Sequence, residues 1–388
     1  MKTVPIWMSS IMLFSVQRVF YRSNGTLSVL AMSSNLMSSY NKIDSCSGMR
    51  QRGNINMKEK QPFSRLVRMF GSNELSNKSA TVNKIETKNN EQVNNMLYRI
   101  RKCNTVPEEV KNTLITFEVD GTPLGKLLPD FAQRLSLTPI FDLDSSNRKL
   151  SLTPEAGTSC EERTEAVHEI MKQLNEEGLI KAWRDEMLPL TSRFDIEPLL
   201  LIERAAAAYF GAIQYGVHIN GYVRTDDGET MIWMARRSKD KSKYPGMLDH
   251  IVAGGMPFGI SPTDNVVKEC EEEAGIPRNL VLEKLRSVGG ISYEYLDELG
   301  CMSRSVIFCY DLELPVDFVP KPVDGEVDEF FLWDYEQLCD SMSPDYHDPI
   351  KPNCYLVKID YLLRMGYITP ESPQYLDVLR ELRSGDCY

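Results

Sequence analysis

No Cys-x-x-Cys pair occurs in the chain, and its nine cysteines stand singly and odd in number. That pattern excludes a zinc ribbon and a closed disulfide framework, so a reducing compartment is expected. Histidine is scarce: four residues, dispersed along the chain, give no expectation of a histidine metal cluster. No run reaches the roughly 18 apolar residues of a membrane-spanning helix, and no internal repeat is evident. Acids are missing before Asp44. Residues 1–73 hold ten Lys and Arg against two acids, whereas the remainder holds 34 against 53. The acidic remainder, lacking an extended basic groove, excludes duplex nucleic acid as the expected partner.

The basic segment is rich in Ser, Asn and Met, the composition of an organelle transit peptide. Import into a mitochondrion or plastid is the expectation; the alternative is a cytoplasmic chain with a polar extension. Residues 1–95 are assigned to this tail and a polar linker. A small α+β domain is expected over 96–200. There "LITFEVDGTPLGKL" (114–127) alternates around an Asp-Gly turn, and "ERTEAVHEIMKQLNEEGLI" (162–180) has helical apolar spacing that ends at Gly178. A second domain is expected over 201–375, where strand-like runs recur between helices at 262–275 and about 348–365.

What the sequence does hold is concentrated in "AGGMPFGISPTDNVVKECEEEAGIP" (253–277). Gly254 and Gly255 permit unusual backbone. Ser261 reads as an N-cap, Pro262 as the first helical residue, Asp264 as the capping-box partner and Gly275 as the stop. On that helix Glu269, Glu272 and Glu273 share one face, opposite Val266, Val267, Cys270 and Ala274. Like charges at this spacing repel. A hard divalent cation with oxygen ligands, Mg²⁺ or Mn²⁺, would offset the repulsion.

The stretch resembles the Nudix box of diphosphate hydrolases: Gly, five residues, Glu, seven residues, then Arg-Glu-aliphatic-any-Glu-Glu-any-Gly-aliphatic. Gly254 starts the box, and Glu269, Cys270, Glu272, Glu273, Gly275 and Ile276 match or nearly match. Lys268 stands for the arginine, and Ile260 replaces the first glutamate. "ERAAAAYFGAIQYGVHINGYV" (203–223) and "WMARRSKDKSKYPGMLDHIVAGG" (233–255) resemble a Nudix subfamily with an extra N-terminal domain. That subfamily includes the domain fused to fungal thiamine pyrophosphokinase and plastid hydrolases of plants. The upstream blocks "FEVDGTPLGKLLP" and "ERTEAVHEIMKQLNEEGLIKAWRDE" resemble its leading domain.

The resemblance implies an α/β fold, the Nudix α/β/α sandwich with a mixed sheet, preceded by the small α+β domain. It implies a small-molecule diphosphate as partner, with Glu269 and Glu273 as principal metal ligands, Glu272 assisting, and the base open between Glu272 and Glu326. Arg237 and Lys241, with His218, Asn220, Gly254 and Gly255, are the candidate substrate contacts; Trp183, Arg184, Trp233 and Tyr244 are further candidates. The subfamily implies cleavage of thiamine diphosphate and its oxidised derivatives to the monophosphate. ADP-ribose is the alternative substrate. An isopentenyl diphosphate isomerase is disfavoured because "LDHIVAGG" lacks that family's cysteine. Ile260 and Lys268 are the features favouring an inactive binding module. A monomer or homodimer is expected.

Overall fold

Asp120 and Gly121 turn the chain with φ of 50° and 74°, the left-handed pair that a two-residue hairpin of the twisted type requires. In the computed structural model they join β3 (Ile115–Val119) to β4 (Thr122–Leu127). The structure describes residues 90–297 and 300–385, together with the backbone of two antiparallel strands, β1 (Val19–Ser23) and β2 (Thr26–Leu30). The expected transit segment otherwise lies outside the described residues.

Next come β5 (Phe141–Asp144) and β6 (Lys149–Leu152), giving a four-stranded sheet in the order β4-β3-β6-β5 with β3 and β6 parallel. Helix Cys160–Glu176 covers it. Its capping box pairs Ser159 with Glu162, and Val167, Met171 and Leu174 reach a core that also buries Phe117, Leu127, Leu150 and Phe210. The hairpin of β7 (Met187–Leu190) and β8 (Leu200–Glu203) follows.

A seven-stranded mixed sheet comes next: β9 (Ile213–Arg224), β10 (Thr230–Arg237), β11 (Leu248–His250), β12 (Val252–Gly255), β13 (Leu285–Leu296), β14 (Met302–Glu313) and β15 (Val327–Trp333). β9 and β14 run parallel, and the other pairs are antiparallel. Strand alternation sends Val217, Ile219 and Val223 to one face, against Val266, Val267, Cys270 and Ala274 of helix Pro262–Ala274. Full burial of Val266 and Val267 contributes about 2 kcal/mol each. The opposite face carries Tyr222, Ile232, Met234, Ile307 and Cys309, covered by helix Pro352–Arg364. Helix, sheet and helix make the expected sandwich.

Several elements escaped the sequence reading. Residues 90–102 form a helix that begins inside the expected linker, and its Val93, Met96, Leu97 and Ile100 pack against the back-helix layer rather than against the four-stranded sheet. Pro129–Leu135, Arg278–Lys284, Tyr335–Asp340 and Tyr375–Glu381 are short helices whose periodicity spans too few turns to read.

Candidate active site

The large sheet opens where β9 and β10 part. Their pairing covers only Tyr222–Arg224 and Thr230–Ile232, after which β11 stays with β10 while β12 crosses to β9. The carboxylate face of helix Pro262–Ala274 looks into this divergence. Ser261 caps the helix, its Oγ accepting from the Asp264 N–H at 3.1 Å, and Gly275 at φ 63° ends it.

Glu273 is 7% exposed, and its Oε2 accepts the Ala253 N–H at 3.0 Å. Among the described residues no lysine or arginine pairs with it. Burial pushes its carboxyl well above the usual range, with the Glu269 charge adding to the rise. Glu269, also mostly buried, is raised by burial too, although Lys268 at 3.5 Å opposes the rise. Glu272 is half exposed and accepts from Lys268 at 2.7 Å. Two largely buried carboxylates, Glu273 with no basic partner and Glu269 with Lys268 at 3.5 Å, offer the oxygen donors a hard divalent cation takes, so the residues fit the metal that the box implies.

Gly254 lets the strand pass this close. A Cβ there would lie 2.5 Å from Glu269 Cδ and 2.6 Å from its Oε1. The Glu269 side chain can move aside, so Gly254→Ala is expected to cost little stability but to misplace the carboxylate. About a hundredfold loss of kcat with an unchanged melting temperature is the expected result, read from kinetics and calorimetry on one preparation.

The carboxylates line a cavity of about 500 Å³. The structure brings the four predicted carboxylates, Glu269, Glu272, Glu273 and Glu326, to its wall, with Arg237, Lys241, His218, Gly254 and Gly255; Asn220, Trp183, Trp233 and Tyr244 are not on it. The charge of Glu326 is felt by both Glu269 and Glu273, and Lys241 forms an ion pair with it. Arg237 is more committed than its sequence suggests. It donates to Asp249 at 2.7 Å and to the carbonyls of Tyr244 and Lys243 at 3.0 and 2.9 Å, so it chiefly braces its own loop.

Asn220 is a correction. It follows His218 on the same face of β9, but further in, where helix Pro352–Arg364 closes over it. Fully buried, it donates to Asp311 at 3.1 Å, and Asp311 in turn accepts from Arg364. Trp233 is core, 8% exposed, among the residues beneath helix Pro262–Ala274. Tyr244 and Trp183 are absent from the cavity wall; the Trp183 indole N–H donates to Asp185 at 2.7 Å.

Two of the dispersed histidines do meet. His218 and His250 lie 4.8 Å apart ring to ring, and together with Cys354 they offer donor atoms within 4.8 Å of one another, all buried. Burial holds both rings neutral; His218 is lowered to about 3. Lys351, Lys358 and Arg237 stand around this group with one carboxylate, Asp249, so positive neighbours outnumber the negative one.

Sequence reasoning missed part of the cationic wall. Arg204 and Lys351 line the cavity, as does Arg184, which the sequence marked only in passing. Arg184 comes from the segment before β7 and donates to Ser242 at 3.1 Å, tying that segment to the loop after β10. Arg204 pairs with Glu186 at 2.7 Å. The signal was weak, because single arginines in mixed-charge loops look like solvated surface.

Comparison with known proteins agrees with this geometry. The family described as "NUDIX domain" matches residues 214–354, and "Domain of unknown function (DUF4743)" matches residues 95–214. "Nudix hydrolase 24, chloroplastic" of Arabidopsis thaliana is 42% identical over 300 residues, 77% of this chain and 80% of that protein. "Nudix hydrolase 20, chloroplastic" of the same plant is 49% identical over 227 residues, 58% of this chain and 59% of that protein. An uncharacterized protein of Saccharomyces cerevisiae is 33% identical over 286 residues, covering 68% of this chain and 81% of its own length. Box, sandwich and a match across four-fifths of a plant relative converge: the chain belongs to the Nudix hydrolases, enzymes of the diphosphate bond, in a branch with a further domain ahead of the hydrolase domain.

Proposed function

We propose that the enzyme uses a divalent cation to cleave thiamine diphosphate and, preferentially, its oxidised oxo and oxy derivatives to the monophosphate and inorganic phosphate. The observation that carries the hydrolytic part is Glu273, buried beside Glu269 without a basic partner, in a cavity whose other walls present Arg184, Arg204 and Lys351. The thiamine part is supported by the resemblance of 203–223, 233–255 and 268–277 to the thiamine-linked subfamily.

Glu269 and Glu273 would hold the ion, with Glu272 at the exposed edge. When bound, Mg²⁺ or Mn²⁺ neutralises phosphoryl oxygens and makes water a better nucleophile at neutral pH. Arg184, Arg204 and Lys351 are placed to orient the two phosphates, whose charge needs such donors. Neutral His218 can hydrogen-bond the substrate without adding charge. Glu326 is our assignment for the acceptor of the attacking water's proton. It comes from a different element than the other three carboxylates, and its charge reaches both buried ones.

The test is a side-by-side kcat/KM measurement with Mg²⁺ for thiamine diphosphate, its oxo and oxy analogues, ADP-ribose and NADH. The oxidised thiamine diphosphates should rank first. A clear preference for either nucleotide would reject thiamine and leave the hydrolase standing.

The acid-poor leader, together with the two chloroplastic relatives, supports an organellar destination, mitochondrion or plastid. A fluorescent protein fused behind residues 1–70 should accumulate in one of those organelles. Uniform cytosolic fluorescence would instead identify the leader as a polar extension.

A further inference from the structure

A second cavity of about 280 Å³ adjoins the carboxylate cavity and shares Glu186, Arg204, Gln214, Tyr215, Gly255 and Pro257 with it. Its character is different. Phe194, Ile196, Tyr215, Met256, Phe258 and Ile260 line it. Phe194 packs 4.8 Å from Tyr215, centroid to centroid, so the two rings form an aromatic wall, and Phe308, 4.8 Å from Phe194, backs it. Phe194 and Phe258 nevertheless remain 40% and 49% exposed. Large aromatic side chains left open around a concavity mark a binding site rather than a finished core.

We infer that this annex holds the organic half of the substrate, and that it takes a planar aromatic group, neutral or cationic, carried on the diphosphate. The inference rests on the diphosphate-hydrolase reading and adds to it the recognition element. Size agrees: a cavity of about 150 Å³ accommodates benzene, so about 280 Å³ takes roughly two small rings. Chemistry agrees as well. A ring can stack on Phe194 and Tyr215 at the preferred offset or edge geometries. Glu186 is paired with Arg204 and Asp195 with Arg193, so Glu197 is the remaining charge in this wall and disfavours an anionic group.

The annex also accounts for the departure in the box. Ile260 occupies the place of the first box glutamate, and here its side chain lines the annex. A carboxylate at that position would put a further negative charge into an apolar wall. Isoleucine completes the wall instead. The leading segment supplies Phe194 and Ile196, so the domain ahead of the hydrolase domain contributes to specificity and is more than a passive extension.

The test compares two substrates that share a diphosphate and differ in the organic half: thiamine diphosphate, which carries aromatic rings, and methyl diphosphate, which carries none. Relative to the parent enzyme, Phe194→Ala and Ile260→Glu should each lower the preference for thiamine diphosphate over methyl diphosphate, in kcat/KM, by tenfold or more. Parallel losses on both substrates, or an unchanged preference, would overturn the assignment. Calorimetric binding of thiamine monophosphate separates this outcome from failure of the hydrolase reading, because no bond is cleaved. At least tenfold weaker binding to Phe194→Ala supports the annex even if no diphosphate is turned over; equal binding to parent and variant overturns it. Phe194 is partly exposed, so its truncation leaves the cores intact.

Discussion

Glu273→Gln is expected to lower kcat at saturating Mg²⁺ by about a thousandfold, equivalent to about 4 kcal/mol of transition-state stabilisation. The amide keeps the size of the side chain and can still accept the Ala253 N–H, but it removes the negative charge that would hold the ion. A purely structural role predicts the opposite effect on the fold. Burial raises the Glu273 pKa well above its ordinary value, so between those two values the folded state binds more protons than the unfolded chain. Stability from this group is therefore complete at low pH and declines as pH rises through that window. In metal-free buffer at pH 7 the Glu273→Gln enzyme should melt higher than the parent while being nearly inactive. Activity and stability moving together would contradict the assignment.

Asp249→Asn is expected to destabilise the protein by about 3–5 kcal/mol, the usual consequence of stripping the counter-charge from buried cations. Asp249 is 5% exposed and accepts from Arg237 at 2.7 Å, Lys351 at 3.3 Å and the Cys354 thiol at 2.8 Å. Burial works against its charge, but Lys351 foremost among its positive neighbours outweighs this and holds the carboxyl well below the usual range. A depressed carboxylate contributes its stability above the unfolded pKa, near 4, and loses it as pH falls further. At pH 7 the contribution is complete, so the full loss should appear there. The check is the urea midpoint at pH 7. The double variant Asp249→Asn with Arg237→Met should recover part of the loss by removing one stranded cation, and an unchanged midpoint in the single variant would show that the ion pairs contribute nothing net.

What the sequence revealed and what it hid follow from how local each signal is. Ser261, Pro262 and Gly275 bounded the box helix to within a residue, and Asp120-Gly121 located its hairpin, because caps and turns depend on neighbours in the chain. The shared face of Glu269 and Glu273 followed from helical period alone. Asn220 could not be told from His218, since both lie on one face of β9 and only the closing helix distinguishes the mouth of the sheet from its interior. His218, His250 and Cys354 come from separate elements, Arg184 approaches from the preceding domain and Arg204 from the short helix after β8; those meetings are tertiary. Ile260 appeared in the sequence as a defect in the box; in the fold it packs against the core beneath the box helix and lines the annex with Phe194 and Tyr215.

The proposed hydrolysis requires Glu269 and Glu273 to hold one divalent cation, which Mn²⁺ titration of the full chain by calorimetry reads without any turnover. One saturable site is expected in the parent protein, with binding at least a hundredfold weaker in Glu273→Gln. An undiminished site in that variant, or no Mn²⁺ binding by the parent, would contradict it.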